Sequence, residues 1–169
     1  MGIPKRIYIH HSGDSSIQPQ FWKINSYHKD KWNFKSKLGW YGGYNRLIEK
    51  SGITSIYRFD GEETAAQKGD NVEALSVCFA GNLDVQDPTD LQLIGLQKLL
   101  DHWMTKYRIS SENVLPHRSR SNTSCPGKNL TDEHIKAFYK PTVTYIQSMI
   151  YKARLMIAKL IATFKSRKK

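Results

Sequence analysis

Two clusters of potential metal ligands lie more than a hundred residues apart, and a fold that uses both has to bring them together. The first ends a strand-like run, Arg6-Ile7-Tyr8-Ile9-His10-His11-Ser12. The second is Pro116-His117-Arg118-Ser119-Arg120-Ser121-Asn122-Thr123-Ser124-Cys125-Pro126. Between them they offer an imidazole, another imidazole and one thiolate. A catalytic zinc ion takes three protein ligands of this kind and leaves its fourth tetrahedral position to water. No Cys-x-x-Cys occurs, and two cysteines cannot build a closed Cys₄ or Cys₃His site. An open, catalytic centre is therefore the metal hypothesis these residue types favour.

Side chains alternate along a strand, so only one of His10 and His11 is expected to coordinate, and His11 is read as a packing or supporting residue. His10 stands where the strand ends, a usual place for functional side chains in α/β proteins. His117 and Cys125 are eight residues apart, too far for a helical i, i+4 pair, but a loop can bring both to one ion.

Periodicity places elements around these clusters. Residues 5–10 read as a strand with Ile7 and Ile9 on one face and Tyr8 and His10 on the other. A polar loop follows, and residues 19–32 carry Phe21, Ile24, Tyr27 and His28 at helical spacing. Gly39-Trp40-Tyr41-Gly42-Gly43 breaks that helix, and a strand from Tyr44 pairs with 53–58 across the Lys50-Ser51-Gly52 turn. Residues 62–72 have no clear period, and 74–80 read as a buried strand ending at Gly81. Asp87-Pro88-Thr89-Asp90 is a helix start with a cap candidate, proline in the first turn and an acid near the positive end of the dipole. That helix is expected to reach Tyr107, with Leu93, Leu96, Leu100, Trp103 and Tyr107 along one face. A short helix over 130–139 and a longer one over 142–165 complete the chain. His102 and His134 fall on helices away from the motifs and read as surface or packing residues.

At 169 residues, 39% hydrophobic and 24% charged, the chain has the composition of one soluble domain with a short appendage. No basic, apolar and small-residue succession marks a signal peptide, so the chain is expected to start in the cytoplasm. Cys78, inside the run Leu75–Ala80, reads as a small core hydrophobe, and a disulfide to Cys125 is not expected in a reducing compartment. Charge is uneven. Residues 141–169 hold seven Lys or Arg and no acid, whereas residues 1–140 hold 19 basic and 15 acidic side chains. Ile146, Met149, Ile150, Ala153, Ile157, Leu160, Ile161 and Phe164 recur at helical spacing within that basic tail. Lys152, Arg154 and Lys159 interrupt it too often for a membrane span. A basic amphipathic helix of this kind suits an anionic membrane or lipopolysaccharide surface through residues 143–169; a terminal helix packed on the domain is the plainer alternative.

Several segments, in order, resemble the type-2 N-acetylmuramoyl-L-alanine amidase family, which includes phage lysozyme-like amidases and peptidoglycan recognition proteins. They are Ile9-His10-His11-Ser12, Gly43-Tyr44-Asn45, Arg58-Phe59-Asp60-Gly61, Val77-Cys78-Phe79-Ala80-Gly81 and Pro116-His117 through Thr123-Ser124-Cys125-Pro126-Gly127. The resemblance extends over roughly residues 5–138. The resemblance implies zinc held by His10, His117 and Cys125. Tyr44 matches the family's active-site tyrosine, and Thr123 occupies a position held by lysine in some members and threonine in others. Two stretches depart from the pattern. Ala65-Ala66-Gln67-Lys68 stands where many members have a histidine in a His-Ala context, and Glu73-Ala74-Leu75-Ser76 replaces the usual Asn-Ser-Ile-Gly run.

The resulting expectation is an α/β domain over 1–140, a mixed central β-sheet flanked by helices, with a C-terminal basic amphipathic helix over 141–169. It is expected to act as a monomeric zinc amidase that cuts peptidoglycan between N-acetylmuramic acid and L-alanine. A phage endolysin made in the host cytoplasm and acting on the periplasmic cell wall fits a short chain of this kind. A peptidoglycan-binding module without catalysis is the alternative, and the presence of Cys125 speaks against it. The charge alone raises nucleic acid as a partner, but no helix-turn-helix, RNP or zinc-finger signature supports specific binding.

Overall fold

Alternation of Ile7 and Ile9 with Tyr8 and His10 produces strand β1 (Arg6–His11), which becomes an inner strand of a five-stranded sheet. The computed structural model describes residues 2–138. The basic amphipathic helix expected over 141–169, and the boundary expected before it, lie outside the described residues.

The other strands are β2 (Arg46–Ile48), β3 (Thr54–Ile56), β4 (Ala74–Phe79) and β5 (Val114–Pro116). Their order is β3-β2-β4-β1-β5. β1 runs parallel to β4 on one side, Arg6 level with Ala74 and His11 with Phe79, and to β5 on the other, Ile9 level with Pro116. β4 is also parallel to β2, while β2 and β3 form the antiparallel hairpin that the turn at Gly52 predicts. The sheet is therefore mixed. β5 was not foreseen as a strand: it is three residues long, and its proline is tolerated because β5 lies at the sheet edge.

Helices cover both faces. Leu47 joins Ile24 of α1 (Phe21–Trp32), Tyr57, Cys78 and Ala80 in one apolar cluster. Its neighbour Ile48 points the other way, towards α2 (Asp90–Tyr107), where a Cβ on Gly95 would lie 3.2 Å from the Ile48 Cγ2. Leu96, Leu100 and Trp103 of α2 are buried, as the helical spacing requires. A short third helix, α3 (Asp132–Ala137), ends the described chain, and one compact unit runs to Ile135.

The two long helices start differently. α2 has its N-cap at Thr89, with the Gln92 N–H donating to the Thr89 hydroxyl at 3.1 Å and the Thr89 N–H to Gln92 Oε1 at 3.1 Å. Pro88 thus stands before the cap and not in the first turn. Gln92 also donates through Nε2 to the carbonyls of Ile48 and Ala80, at 3.1 and 2.9 Å, which ties the helix start to two strand ends. α1 has no cap of its own. The carboxylate of buried Glu49 accepts the N–H groups of Gln20 and Phe21 at 2.9 Å and so serves as a cap supplied from beyond β2.

Two charged side chains brace the segment around Tyr44. Arg58, 1% exposed, donates to the carbonyls of Gly42 (2.8 Å) and Phe34. Asp60 accepts from Arg46 at 2.6 Å, from the Tyr107 hydroxyl at 3.0 Å and from Lys106 at 3.4 Å, with a side chain only 8% exposed. Burial alone would raise the Asp60 carboxyl, but Arg46, aided by hydrogen bonds from Tyr107 and Lys106, holds it below the ordinary value. A carboxyl lowered in the folded state stabilises fully above its unfolded value near 4, and that stability is lost as pH falls through the folded value. Asp60→Asn is expected to cost about 3 kcal/mol in urea unfolding at pH 7. The loss of stability between pH 5 and pH 3 should be shallower in the variant than in the wild type.

Candidate metal centre

The parallel pairing of β1 and β5 brings the two distant clusters together. Because Ile9 is level with Pro116, the next residues, His10 and His117, emerge side by side at the same end of the sheet. Their rings lie 4.5 Å apart at 53°. His117 opens a short 3-10 turn (His117–Ser119), and the chain then loops back to Cys125. Cys125 Sγ lies 3.9 Å from His10 Nδ1, and the three donor atoms of His10, His117 and Cys125 all fall within 4.8 Å of one another. Among the described residues this is the one such cluster.

The donor set fits zinc. Ligand distances of about 2.0–2.3 Å in a tetrahedron place donors about 3.3–3.8 Å apart, so closure around an ion takes movements of about 1 Å. His10 is 1% exposed, and its Nε2 has no hydrogen-bond partner among the described residues. An imidazole buried with an unengaged nitrogen suits a metal ligand. Burial, then the nearby His117 and His11, holds His10 well below the usual imidazole value, and burial followed by His11 lowers His117. Both rings are accordingly neutral. Burial pushes the Cys125 thiol up to about 12, outweighing the lowering effect of the His11 N–H. A cation at the centre reverses that preference, since a coordinated thiol gives up its proton.

Tyr44, just before β2, reaches the same centre. Its ring lies 5.2 Å from that of His10 and 5.5 Å from that of His28. Burial, then Cys78 and Cys125, raises the phenol well above its usual value, so the hydroxyl keeps its proton; its side-chain hydrogen-bond partner is the buried Cys78 thiol. Thr123 is exposed, and its hydroxyl accepts the Cys125 N–H at 3.2 Å. Its first role in the fold is to shape the turn that carries Cys125. His11 takes the supporting place expected of it. Its Nδ1 accepts the Leu83 N–H at 3.0 Å and its own N–H points to Cys125 Sγ at 3.4 Å. Cys78 is buried and free, as is Cys125, and no disulfide joins them.

What the sequence did not disclose is how the Cys125 loop is fastened. Asp84 accepts the Ser124 hydroxyl at 2.8 Å and the Lys128 N–H at 3.0 Å, while the Asn129 N–H donates to the Leu83 carbonyl at 2.9 Å. Arg118 donates its N–H to the Cys125 carbonyl at 2.8 Å and its guanidinium to the carbonyls of Gly127 and Leu130, at 3.2 and 3.1 Å. The peptide bond between Cys125 and Pro126 is cis. Only Pro126-Gly127 signalled a turn here, and the partners in 82–84 are too remote in sequence to be read from it. Gln67, inside one departing stretch, also touches this loop, donating from Nε2 to the Ser121 hydroxyl at 3.0 Å.

Residues 2–128 match the model of a family described as N-acetylmuramoyl-L-alanine amidase. The endolysine N-acetylmuramoyl-L-alanine amidase LysCS from Clostridium intestinale URNW is 32% identical, with 80% of this chain and 82% of that chain covered and a TM-score of 0.68. Peptidoglycan-recognition protein SC2 of Drosophila melanogaster is 29% identical over 135 residues, 74% of this chain and 69% of that protein. Peptidoglycan recognition protein-LE, solved in complex with tracheal cytotoxin, shares the fold at 22% identity, 80% coverage of each chain and a TM-score of 0.67.

Gly127 tests the loop. Its φ of +103° disfavours any side chain, and a Cβ there would lie 2.4 Å from the Leu83 carbonyl carbon. Strain of this kind costs about 1–3 kcal/mol, enough to open the loop about tenfold more often. In Gly127→Ala, Cys125 should react with a thiol reagent about tenfold faster than in the wild type, while Cys78 stays protected, as read by mass spectrometry of the labelled peptides.

Proposed function

Because the chain belongs to the N-acetylmuramoyl-L-alanine amidase family, we propose that it hydrolyses the amide joining the lactyl group of N-acetylmuramic acid to L-alanine in peptidoglycan, with zinc held by His10, His117 and Cys125. The observation that carries this reading is the meeting of those three donors, within 4.8 Å of one another, beside a protonated Tyr44. A zinc ion held there would supply a water acidic enough to attack at neutral pH and would polarise the substrate carbonyl.

The chain's own groups do the rest. Two neutral imidazoles and one thiolate would leave a bound dication with a single net positive charge, which would favour the negative charge that develops on the amide oxygen. The Tyr44 hydroxyl donates to that oxygen as the carbon becomes tetrahedral. Thr123 can accept the Cys125 N–H and still donate its own proton outward, so it both shapes the turn and orients substrate. Asp84 is engaged by Ser124 and Lys128, and no carboxylate joins the cluster among the described residues.

The finer reading is a phage endolysin that acts on the cell wall. Likeness to an endolysine amidase at 32% identity supports it. The seven basic residues and no acid of 141–169 support an added hold on an anionic membrane or lipopolysaccharide. Purified protein is expected to bind one zinc per chain and to release free L-alanine amino termini from isolated peptidoglycan. Cys125→Ala should lose both. Tyr44→Phe should keep the zinc and lose about 10²–10³-fold in kcat, the scale of removing one such donor. Zinc without cleavage in the wild type would favour a recognition module, and no zinc would sink the ligand assignment. Vesicles of phosphatidylglycerol and phosphatidylethanolamine should retain the full chain at low salt and release a chain ending at residue 140.

A further inference from the structure

Tyr44 lies between two residues whose backbones are pinned. On one side Asn45, fully buried, donates its N–H to the Ser76 carbonyl at 2.9 Å and accepts the Ser76 N–H on Oδ1 at 2.8 Å. Its Nδ2 donates to the Phe59 carbonyl at 2.8 Å, and its carbonyl accepts the Tyr57 N–H at 3.1 Å. On the other side the Gly43 carbonyl accepts the Ala65 N–H at 2.9 Å, and the Gly43 N–H donates to His28 Nδ1 at 2.8 Å. A Cβ on Gly43 would lie 3.0 Å from the Ala65 carbonyl oxygen and 3.2 Å from the Trp32 ring, so this backbone has little room to move.

His28 differs from the other restraints because it acts twice. It binds the amide that precedes Tyr44, and its ring stands 5.5 Å from the Tyr44 ring, which in turn stands 5.2 Å from His10. Trp32, one turn further along α1, lies 4.5 Å behind it. The imidazole is 5% exposed on the buried face of α1. A purely apolar side chain would fill that space equally well. It would leave the Gly43 N–H buried without an acceptor, at a cost of about 1–3 kcal/mol, and the simplest relief is a shift of the backbone that aims Tyr44.

We infer that His28 is a positioning residue for Tyr44: from α1 it fixes the Gly43 amide through Nδ1 and backs the phenol with its ring, so that the Tyr44 ring is held against His10, beside the centre formed with His117 and Cys125. The inference rests on the functional reading given above for Tyr44 but is separable from it. Burial, followed by the charges of Lys31 and Arg58, holds His28 at about 4, so the ring is neutral at working pH and its Nδ1 lone pair is available.

The test compares His28→Leu, which fills the space without an acceptor, with His28→Asn, which restores an acceptor near the Nδ1 position. His28→Leu should keep its zinc and its KM within about twofold and lose about tenfold in kcat, since small misplacements of a catalytic group act on kcat. Its Tyr44 ring resonances, in protein with labelled tyrosine, should move. His28→Asn should recover most of the rate and the wild-type Tyr44 resonances. Equal behaviour of the two variants, or an unmoved Tyr44 with unchanged kcat in His28→Leu, would overturn the inference and leave His28 a packing residue. Should the wild type fail to cleave peptidoglycan, the proposed reaction falls, while the Tyr44 resonances still decide the positioning role. If His28→Leu does not fold, the wild type decides: a through-bond nitrogen–nitrogen coupling between the Gly43 amide and His28 Nδ1 is expected, and its absence counts against the inference.

Discussion

β1 is hydrogen-bonded along both edges, and the places of His10 and His117 at the centre follow from its two parallel registers. Pairing with β4 sets His10 level with Cys78, and pairing with β5 sets Ile9 level with Pro116, so that His117 emerges beside His10. A slip of one residue would turn every side chain of the strand to the opposite face. His10 would then leave the centre and Ile9 would enter it. The slip is resisted on both faces. Ile7 and Ile9 are fully buried, while on the other face the Tyr8 hydroxyl meets Asp70 at 2.5 Å, a bond it could not make if the strand were turned over. The fold thus fixes two of the three donors before any loop is considered.

The third donor depends on a loop, and loops need fastening. Cys125 is 7% exposed in a stretch rich in polar residues, which is where a chain left to itself would be solvated. It is held down by Asp84, by Arg118 and by the Asn129 and Leu83 backbone, all acting on residues within five of it or on their carbonyls. Burying one imidazole and a thiol, with a second imidazole half-buried beside them, works against stability, and perturbed groups of this kind cluster at functional sites. The fastening therefore holds the thiol beside the two imidazoles, where burial keeps it protonated.

The inner strands and long helices were legible because their signals are local. Ile7 and Ile9 alternate with Tyr8 and His10, Leu96 and Leu100 recur at helical spacing, and the Gly52 turn marks its hairpin. The candidate donors were legible as residue types, and the family resemblance chose among them. The failures share one cause: the partner lies far away in sequence. Three residues ending in proline do not look like a strand, and β5 exists because β1 offers an edge. Nothing near Gln20 caps α1, because its cap is Glu49. At α2 the local rule for proline places the cap at Asp87, two residues before the observed Thr89–Gln92 capping box, in which Gln92 also binds two strand ends. Thr123 could be read as a site residue from its position, but not as the acceptor that shapes the Cys125 turn.

The two stretches where the sequence departs from the family's usual run fall against this centre. Ala65 holds the Gly43 carbonyl, Gln67 reaches Ser121 in the loop between His117 and Cys125, and Ser76 is bound on both backbone groups by Asn45. The departures therefore touch the backbone on either side of Tyr44 and the loop that carries the ligands, while leaving the donors themselves unchanged. Reactivity at the centre depends on donor type and charge, which these stretches do not supply. Selectivity depends on the shape and hydrogen bonding of the walls, which they do. A chain altered in this pattern keeps its three donors and changes the backbone and loop that surround them.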